Sequence, residues 1–336
     1  MLFKENIFSV KHPTFSPLKD FDKTELSEII KKHYPSLIIT GIEKIGAFEI
    51  NSNNWKIESG LESFILKKVD ISKSEALSTQ ADWTSQLQTY AFPTLRFLKN
   101  KEERLISTEG NDVYCITYFE DGHYFGSSYD EWIDLLRNLK LLFDYSAKYK
   151  SSSSLIPSRI FFTSDEDQLI AQIKFFPEIK NITNTQLSLI IEEYKQLKQI
   201  FQAKKLKHSV FHIDIHPHNL IINNNKLILL TDFESFQVTT TEVSLGFGIY
   251  KCMRQLLTLE NDPLRIKERI LELKIQFETI FPGYDFIELL TLGKIDILKR
   301  LLFILKEILD KKEPKWLFML GTQLDSLEEI NKITKL

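Results

Sequence analysis

Between positions 212 and 234 the chain reads HIDIHPHNLIINNNKLILLTDFE. This stretch concentrates His212, His216 and His218, the carboxylates Asp214, Asp232 and Glu234, and the amide Asn219. Two chemistries need such groups. Histidines with an acid can hold zinc and activate water. Carboxylate and amide oxygens are hard donors suited to the Mg²⁺ that accompanies nucleotide phosphates. Spacing separates the two readings. NLII and KLILL are short β-type runs, and the asparagines at 223–225 between them tolerate positive φ, so the runs are expected to pair as a hairpin. That hairpin brings Asn219 and Asp232 toward one end, with Asp214 in the loop just before it. Asp232 and Asn219 can then supply oxygens to Mg²⁺, leaving Asp214 to accept a hydrogen bond from an attacking hydroxyl. Asp214 and Asn219 stand five residues apart, in the spacing H-x-D-x-x-x-x-N.

Zinc hydrolysis is the rival, because four histidines fall within 208–218. Histidines in a loop need share no direction, however, and His12, His33 and His123 form no second cluster to complete a coordination sphere.

The elements that must position these groups can be read coarsely. Residues 22–34 suit a short helix, and 36–70 alternates short apolar runs with Asn- and Gly-containing breaks, as in a small antiparallel sheet. A helix is expected over 74–90, with Leu77, Ala81, Thr84 and Leu87 on one face, and a strand and exit turn over 113–122. Ser128 and Glu131 make a capping box ahead of a further helix. Residues 151–154, all serine, mark a loop. Helical periodicity returns over 185–203, 264–281, 294–310 and 315–332. The order is a β-rich part followed by a helical part, and a ligand site between unequal lobes is expected.

These residues resemble the signature of the aminoglycoside phosphotransferase and choline kinase family, small-molecule kinases with a protein-kinase-like fold. The family's H-G-D-x-H-x-x-N appears as His212-Ile213-Asp214-Ile215-His216-Pro217-His218-Asn219, and its D-F/W-E/D as Asp232-Phe233-Glu234. The resemblance implies an α+β, bilobal fold with a small antiparallel N-lobe carrying one helix and a larger helical C-lobe. The expected divisions are 1–117, a hinge at 118–122, and 123–336. It implies Asp214 as catalytic base, Asn219 and Asp232 as Mg²⁺ ligands, and His212 as a prop of the loop. Glu234 would be a supporting or substrate contact.

Around NSNNWKI and SFILKKV it implies a nucleotide-covering hairpin with Asn53 near the nucleotide, and Lys67 on the α/β-phosphates, Lys68 being the register alternative. Backbone groups of Tyr118, Phe119 and Glu120 would meet the base of ATP or GTP. The implied reaction is Mg²⁺-dependent transfer of a γ-phosphate to a hydroxyl of a small molecule such as an aminoglycoside, amino alcohol or sugar. The sequence departs from the family at Ile213 and His218, where glycines are usual, and at Ser244, where an acid is expected. Glu75, Gln80 and Asp82 are all open as the helix partner of Lys67. The departures raise the alternative of a nucleotide-binding pseudokinase. A protein kinase fits less well, since D-F-E replaces D-F-G and no A-P-E segment follows.

Composition bounds the partners. In 336 residues, 43% are hydrophobic, ample for a packed core. A net charge of −3 argues against a broad nucleic-acid-binding face. Two distant cysteines, Cys115 and Cys252, read as small buried hydrophobes of a reducing compartment rather than a disulfide. With no apolar leader and no uncharged run of membrane-spanning length, a cytoplasmic protein with no membrane partner is expected.

Overall fold

A computed structural model of the chain describes residues 23–45, 53–126, 128–148, 156–173, 182–260, 262–310 and 317–335. The loop expected at 151–154, part of the turn at 51–54, and His12 lie outside them. Helix α1 (Lys23–His33) leads into strands β1 (Ile39–Ile45), β2 (Asn54–Ser59) and β3 (Glu62–Asp70). Helix α2 (Ser74–Thr89) follows, then β4 (Phe97–Leu98), β5 (Ser107–Glu109) and β6 (Asp112–Tyr118). The strands form one antiparallel sheet ordered β1-β2-β3-β6-β4, with β5 also on β6.

Alternation along β3 decides which side chain serves which face. Phe64 and Leu66 point into a cluster with Leu26, Ile29 and Ile30 of α1, while Lys67 emerges on the other side. On that side Val69, Val113 and Cys115 pack with Leu77, Ala81 and Leu87 of α2, the face predicted from periodicity.

The second half is mainly helical. Strand β7 (His123–Tyr124) precedes α3 (Tyr129–Lys148), α4 (Ser164–Ile173) and α5 (Asn184–Ala203). Then come β8 (His208–His212), β9 (Leu220–Asn223), β10 (Lys226–Leu230) and β11 (Phe236–Thr240). Helices α6 (Thr241–Leu257), α7 (Pro263–Ile280), α8 (Phe286–Leu309) and α9 (Leu320–Ile333) complete the chain. Helix α8 begins eight residues before the expected 294, at a start where Asp285 accepts from Glu288 N at 2.7 Å. Its first turns are apolar almost all round and contain Gly293, which hides the helical period.

Every residue of α6 is buried. It crosses α8 at a glycine pair: a Cβ on Gly246 would lie 2.1 Å from the Leu289 carbonyl oxygen, and one on Gly293 2.5 Å from the Gly246 carbonyl carbon. The two helices therefore meet backbone to backbone. Among the described residues no helix is long and apolar enough to cross a membrane.

Candidate active site

The hairpin forms as the asparagines suggest. Strands β9 and β10 pair antiparallel, with Asn223 opposite Lys226 and Leu220 opposite Leu230. Asn224 and Asn225 take φ of 50° and 60°, the left-handed pair that a tight two-residue turn requires. Strand β8 ends at His212 and pairs with β11, which places His212 opposite Phe236. The loop after β8 and the residues after Asp232 are thereby brought side by side.

His212 is fully buried at this junction. Its Nε2 donates to the carbonyls of Thr231 and Asp232 at 3.0 and 3.1 Å, and its Nδ1 accepts from Asp214 N at 3.3 Å. One neutral tautomer satisfies all three contacts, and burial, outweighing the attraction of Asp232 and Asp214, holds its pKa below the ordinary value. Asn219 donates through Nδ2 to the Asp214 carbonyl at 2.8 Å, and its N–H bonds to the His216 carbonyl. Ile213 needs none of the conformational freedom of the glycine it replaces: its φ is not positive. It is buried, and its N–H donates to Ser235 O at 2.9 Å.

Asp232 has a left-handed backbone (φ 57°, ψ 55°), costly for a residue with a Cβ by about 1–2 kcal/mol. The surroundings hold it there. Ser235 Oγ donates to its Oδ2 at 2.5 Å and Ser235 N to its carbonyl at 2.8 Å. Lys67 reaches across from β3 to Asp232 Oδ1 at 3.3 Å and forms an ion pair with Glu234. Burial opposes the charge on Lys67, but the two carboxylates outweigh it and raise its pKa. Burial likewise opposes the charge on Asp232, and Lys67 with Ser235 keeps its pKa low. Lys68 pairs instead with Asp112, so the register favours Lys67 as the inward lysine.

None of the three helix candidates forms an ion pair with Lys67. Glu75 and Asp82 are exposed on α2, and Gln80 faces inward. Gln80 Nε2 donates to the carbonyls of Glu234 and Phe236 at 2.7 and 2.8 Å, tying α2 to the backbone of the D-F-E segment. Glu234 thus stands where a helix acid was expected.

The Asp214 carboxylate faces the Arg300 guanidinium and the His216 ring. Arg300 Nη2 of α8 donates to its Oδ1 at 3.0 Å and to Ile213 O at 3.0 Å, and His216 Nε2 lies 3.5 Å from its Oδ2. Burial raises its pKa, but Arg300 and then His216 overcome that and hold it far below the usual carboxylate range. Arg300 is itself anchored: its Nε donates to Asp296 Oδ2 at 2.7 Å, and Arg159 Nε donates to the other oxygen at 2.6 Å.

The sequence reading missed Arg159, Asp296 and Arg300. A usable signal was present, since Asp296 and Arg300 are four apart on an apolar helix, both on its inner side. His218 packs against Tyr124 at 4.7 Å between ring centroids, and its N–H donates to His216 Nδ1. The histidines thus serve different partners. Among the described residues no three His, Cys, Asp or Glu side chains are placed to hold a metal together. Ser244 is buried, with its hydroxyl 3.2 Å from that of Thr239.

At 118–120 the N–H groups of Tyr118 and Phe119 donate to Arg96 O and Ser63 O, each at 2.9 Å. Arg96 also pairs with Glu120 at 2.6 Å. The N–H of Glu120 makes no hydrogen bond among the described residues. Asn53 is exposed just before β2, its carbonyl accepting from Lys68 N at 2.9 Å. Gly122 ends the segment against β9, where a Cβ would lie 2.5 Å from Ile222 O.

Solved structures with this arrangement of lobes are numerous. An amicoumacin kinase in complex with AMP-PNP, Ca²⁺ and Ami superposes with a TM-score of 0.64 at 11% identity, over 92% of this chain and 94% of that one. A spectinomycin phosphotransferase in complex with ADP and spectinomycin gives 0.63 at 13%, over 93% and 97%. The GDP complex of an aminoglycoside 2′-phosphotransferase gives 0.65 at 10%, over 93% and 99%. The chain shares the kinase-like fold of these structures. At these identities the likeness is one of fold. No protein-family model and no curated protein matches the sequence.

Proposed function

We propose that the chain is a Mg²⁺-dependent phosphotransferase that moves the γ-phosphate of ATP or GTP to a hydroxyl of a small molecule. One observation carries this reading. Lys67 from the sheet meets Asp232 and Glu234, while Asp214 and Asn219 sit on the adjoining loop, so groups suited to hold phosphates and a hydroxyl lie together. The lobes are taken to divide at 118–122, with the base lying against the backbone of Tyr118 to Glu120, chiefly the N–H of Glu120, and Asn53 near the nucleotide.

The donor set fits magnesium. Asp232 offers carboxylate oxygens and Asn219 an amide oxygen, both hard donors of the kind this cation takes. Mg²⁺ held there would neutralise charge on the phosphates. Lys67 would donate to the nonreacting phosphates, with Glu234 holding its ammonium in place when Asp232 turns to the metal. Asp214 would accept a hydrogen bond from the acceptor hydroxyl and aim its oxygen in line with the γ-phosphorus. The new O–P bond forms as the bond to the β–γ bridging oxygen breaks, and the hydroxyl proton passes to Asp214. A carboxylate held so acidic is a weak base, which suits a loose transition state in which the proton leaves late. His212 would fix the loop by joining Asp214 N to the carbonyls of Thr231 and Asp232.

Incubation of Mg-ATP and Mg-GTP with a panel of hydroxyl compounds, read by ³¹P NMR, tests this. A phosphate ester that appears with the wild type and not with Asp214→Asn is expected. Nucleotide binding without transfer to any acceptor would instead favour a pseudokinase.

A further inference from the structure

Beside Asp214 stands the guanidinium of Arg300. Arg300 is 26% exposed beside the 28% exposed Asp214, and among the described residues its Nη1 makes no hydrogen bond. Its guanidinium lies 4.4 Å above the Phe247 ring of α6. The Lys251 ammonium, one turn along α6, lies 5.5 Å from the same ring. Helix α6 reaches the loop directly here: a Cβ on Gly248 would stand 2.7 Å from Ile215 Cβ.

Lys251 is only 6% exposed. Its ammonium donates to Ser326 Oγ of α9 at 3.0 Å, and no carboxylate forms an ion pair with it among the described residues. The nearby acids are already matched. Asp296 lies between Arg159 and Arg300, and Glu329 accepts from Arg254 at 2.6 Å and from Tyr250 at 2.9 Å. A buried ammonium with no carboxylate in direct contact is costly to keep charged. Burial, then Arg254 and Arg300, outweigh the attraction of Glu329 and Asp214 and depress Lys251 to about 7. An arriving anion would restore its charge and supply the missing partner.

We propose that Lys251 and Arg300 form the anion-recognition end of the acceptor site, so that the hydroxyl compound phosphorylated here carries a carboxylate or phosphate group instead of an ammonium group. This rests on the phosphotransferase reading above. An aminoglycoside or choline-like cation would meet the Arg300 guanidinium with like charge, and the acids Asp214, Asp296 and Glu329 are already paired. An acceptor with its hydroxyl on Asp214 and its anion on Lys251 satisfies both.

Matched acceptors decide it: glycerate, 3-hydroxybutyrate and glycerol 3-phosphate against ethanolamine and choline, with glycerol as the neutral reference. Calorimetric binding and Mg-ATP-dependent transfer are measured for wild type and for Lys251→Met, whose side chain keeps most of the packing. The anionic compounds are expected to bind and react best. Lys251→Met should raise their KM about 10- to 100-fold, the loss of a charge-assisted contact, with little change in kcat or in nucleotide affinity. The carboxylate and phosphate arms identify which anion fits.

Transfer to ethanolamine or choline with none to the anionic compounds overturns the proposal and leaves the phosphotransferase reading intact. Anion binding that needs Lys251, without transfer to any acceptor, preserves the subsite and removes the transfer reading. Anionic acceptors that neither bind nor react, or a KM unchanged by Lys251→Met, also overturn it; the wild-type comparison holds even if the variant does not fold.

Discussion

At the residue scale, the site depends on which charges are paired with which. Lys67 pairs with both Asp232 and Glu234; in the proposed site Asp232 turns to the metal, so Glu234 is the partner Lys67 would keep. Glu234→Gln is expected to weaken nucleotide affinity about tenfold, the order of one charge-assisted hydrogen bond, as measured by calorimetry with Mg-ADP. Arg300 acts on Asp214 with a predictable sign. In the proposed reaction Asp214 would work deprotonated, and Arg300 with His216 holds its pKa far below the usual carboxylate range. Removing the guanidinium in Arg300→Gln lets the carboxyl rise toward its ordinary range, so the acid limb of kcat against pH should move to higher pH. An unshifted limb would mean that Arg300 does not set the acidity of Asp214. Asp214→Asn itself should lower kcat by about 10²–10⁴ and leave nucleotide affinity near wild type.

At the element scale, short-range signals were the readable ones. The asparagine turn predicted the β9–β10 hairpin, and the apolar period placed α2 and α5 within a residue or two. The start of α8 was not readable, because a helix buried on nearly every side has no polar stripe to reveal its period. The same burial hides the α6–α8 crossing, in which Gly246 and Gly293 look like ordinary interruptions until their contacts are known. Those contacts make a direct prediction. Gly246→Ala or Gly293→Ala must separate two backbones and should cost about 1–3 kcal/mol, seen as a lower Tm in thermal denaturation. Because α8 carries Asp296 and Arg300, the shift should also reduce turnover. An unchanged Tm would show that the helices are not packed this closely.

At the scale of the whole molecule, the β-rich-then-helical order and the positions of Asp214, Asn219 and Asp232 could be read from the chain, since they lie within one local hairpin and its approach. The partners Lys67, Gln80, Arg159 and Arg300 come from distant elements, and their pairings depend on tertiary register. For that reason Glu75, Gln80 and Asp82 could not be separated in advance, and the Glu234 pairing was not foreseen. The molecule as a whole places the sheet's lysine and the hairpin's carboxylates across one seam, and nucleotide binding at that seam is the central claim.

Calorimetric titration of ATP with and without Mg²⁺, into wild type and Asp232→Ala, tests it most directly. The account predicts Mg²⁺-dependent binding to the wild type that falls sharply in the variant. Binding that ignores Mg²⁺, or that survives Asp232→Ala undiminished, would contradict it.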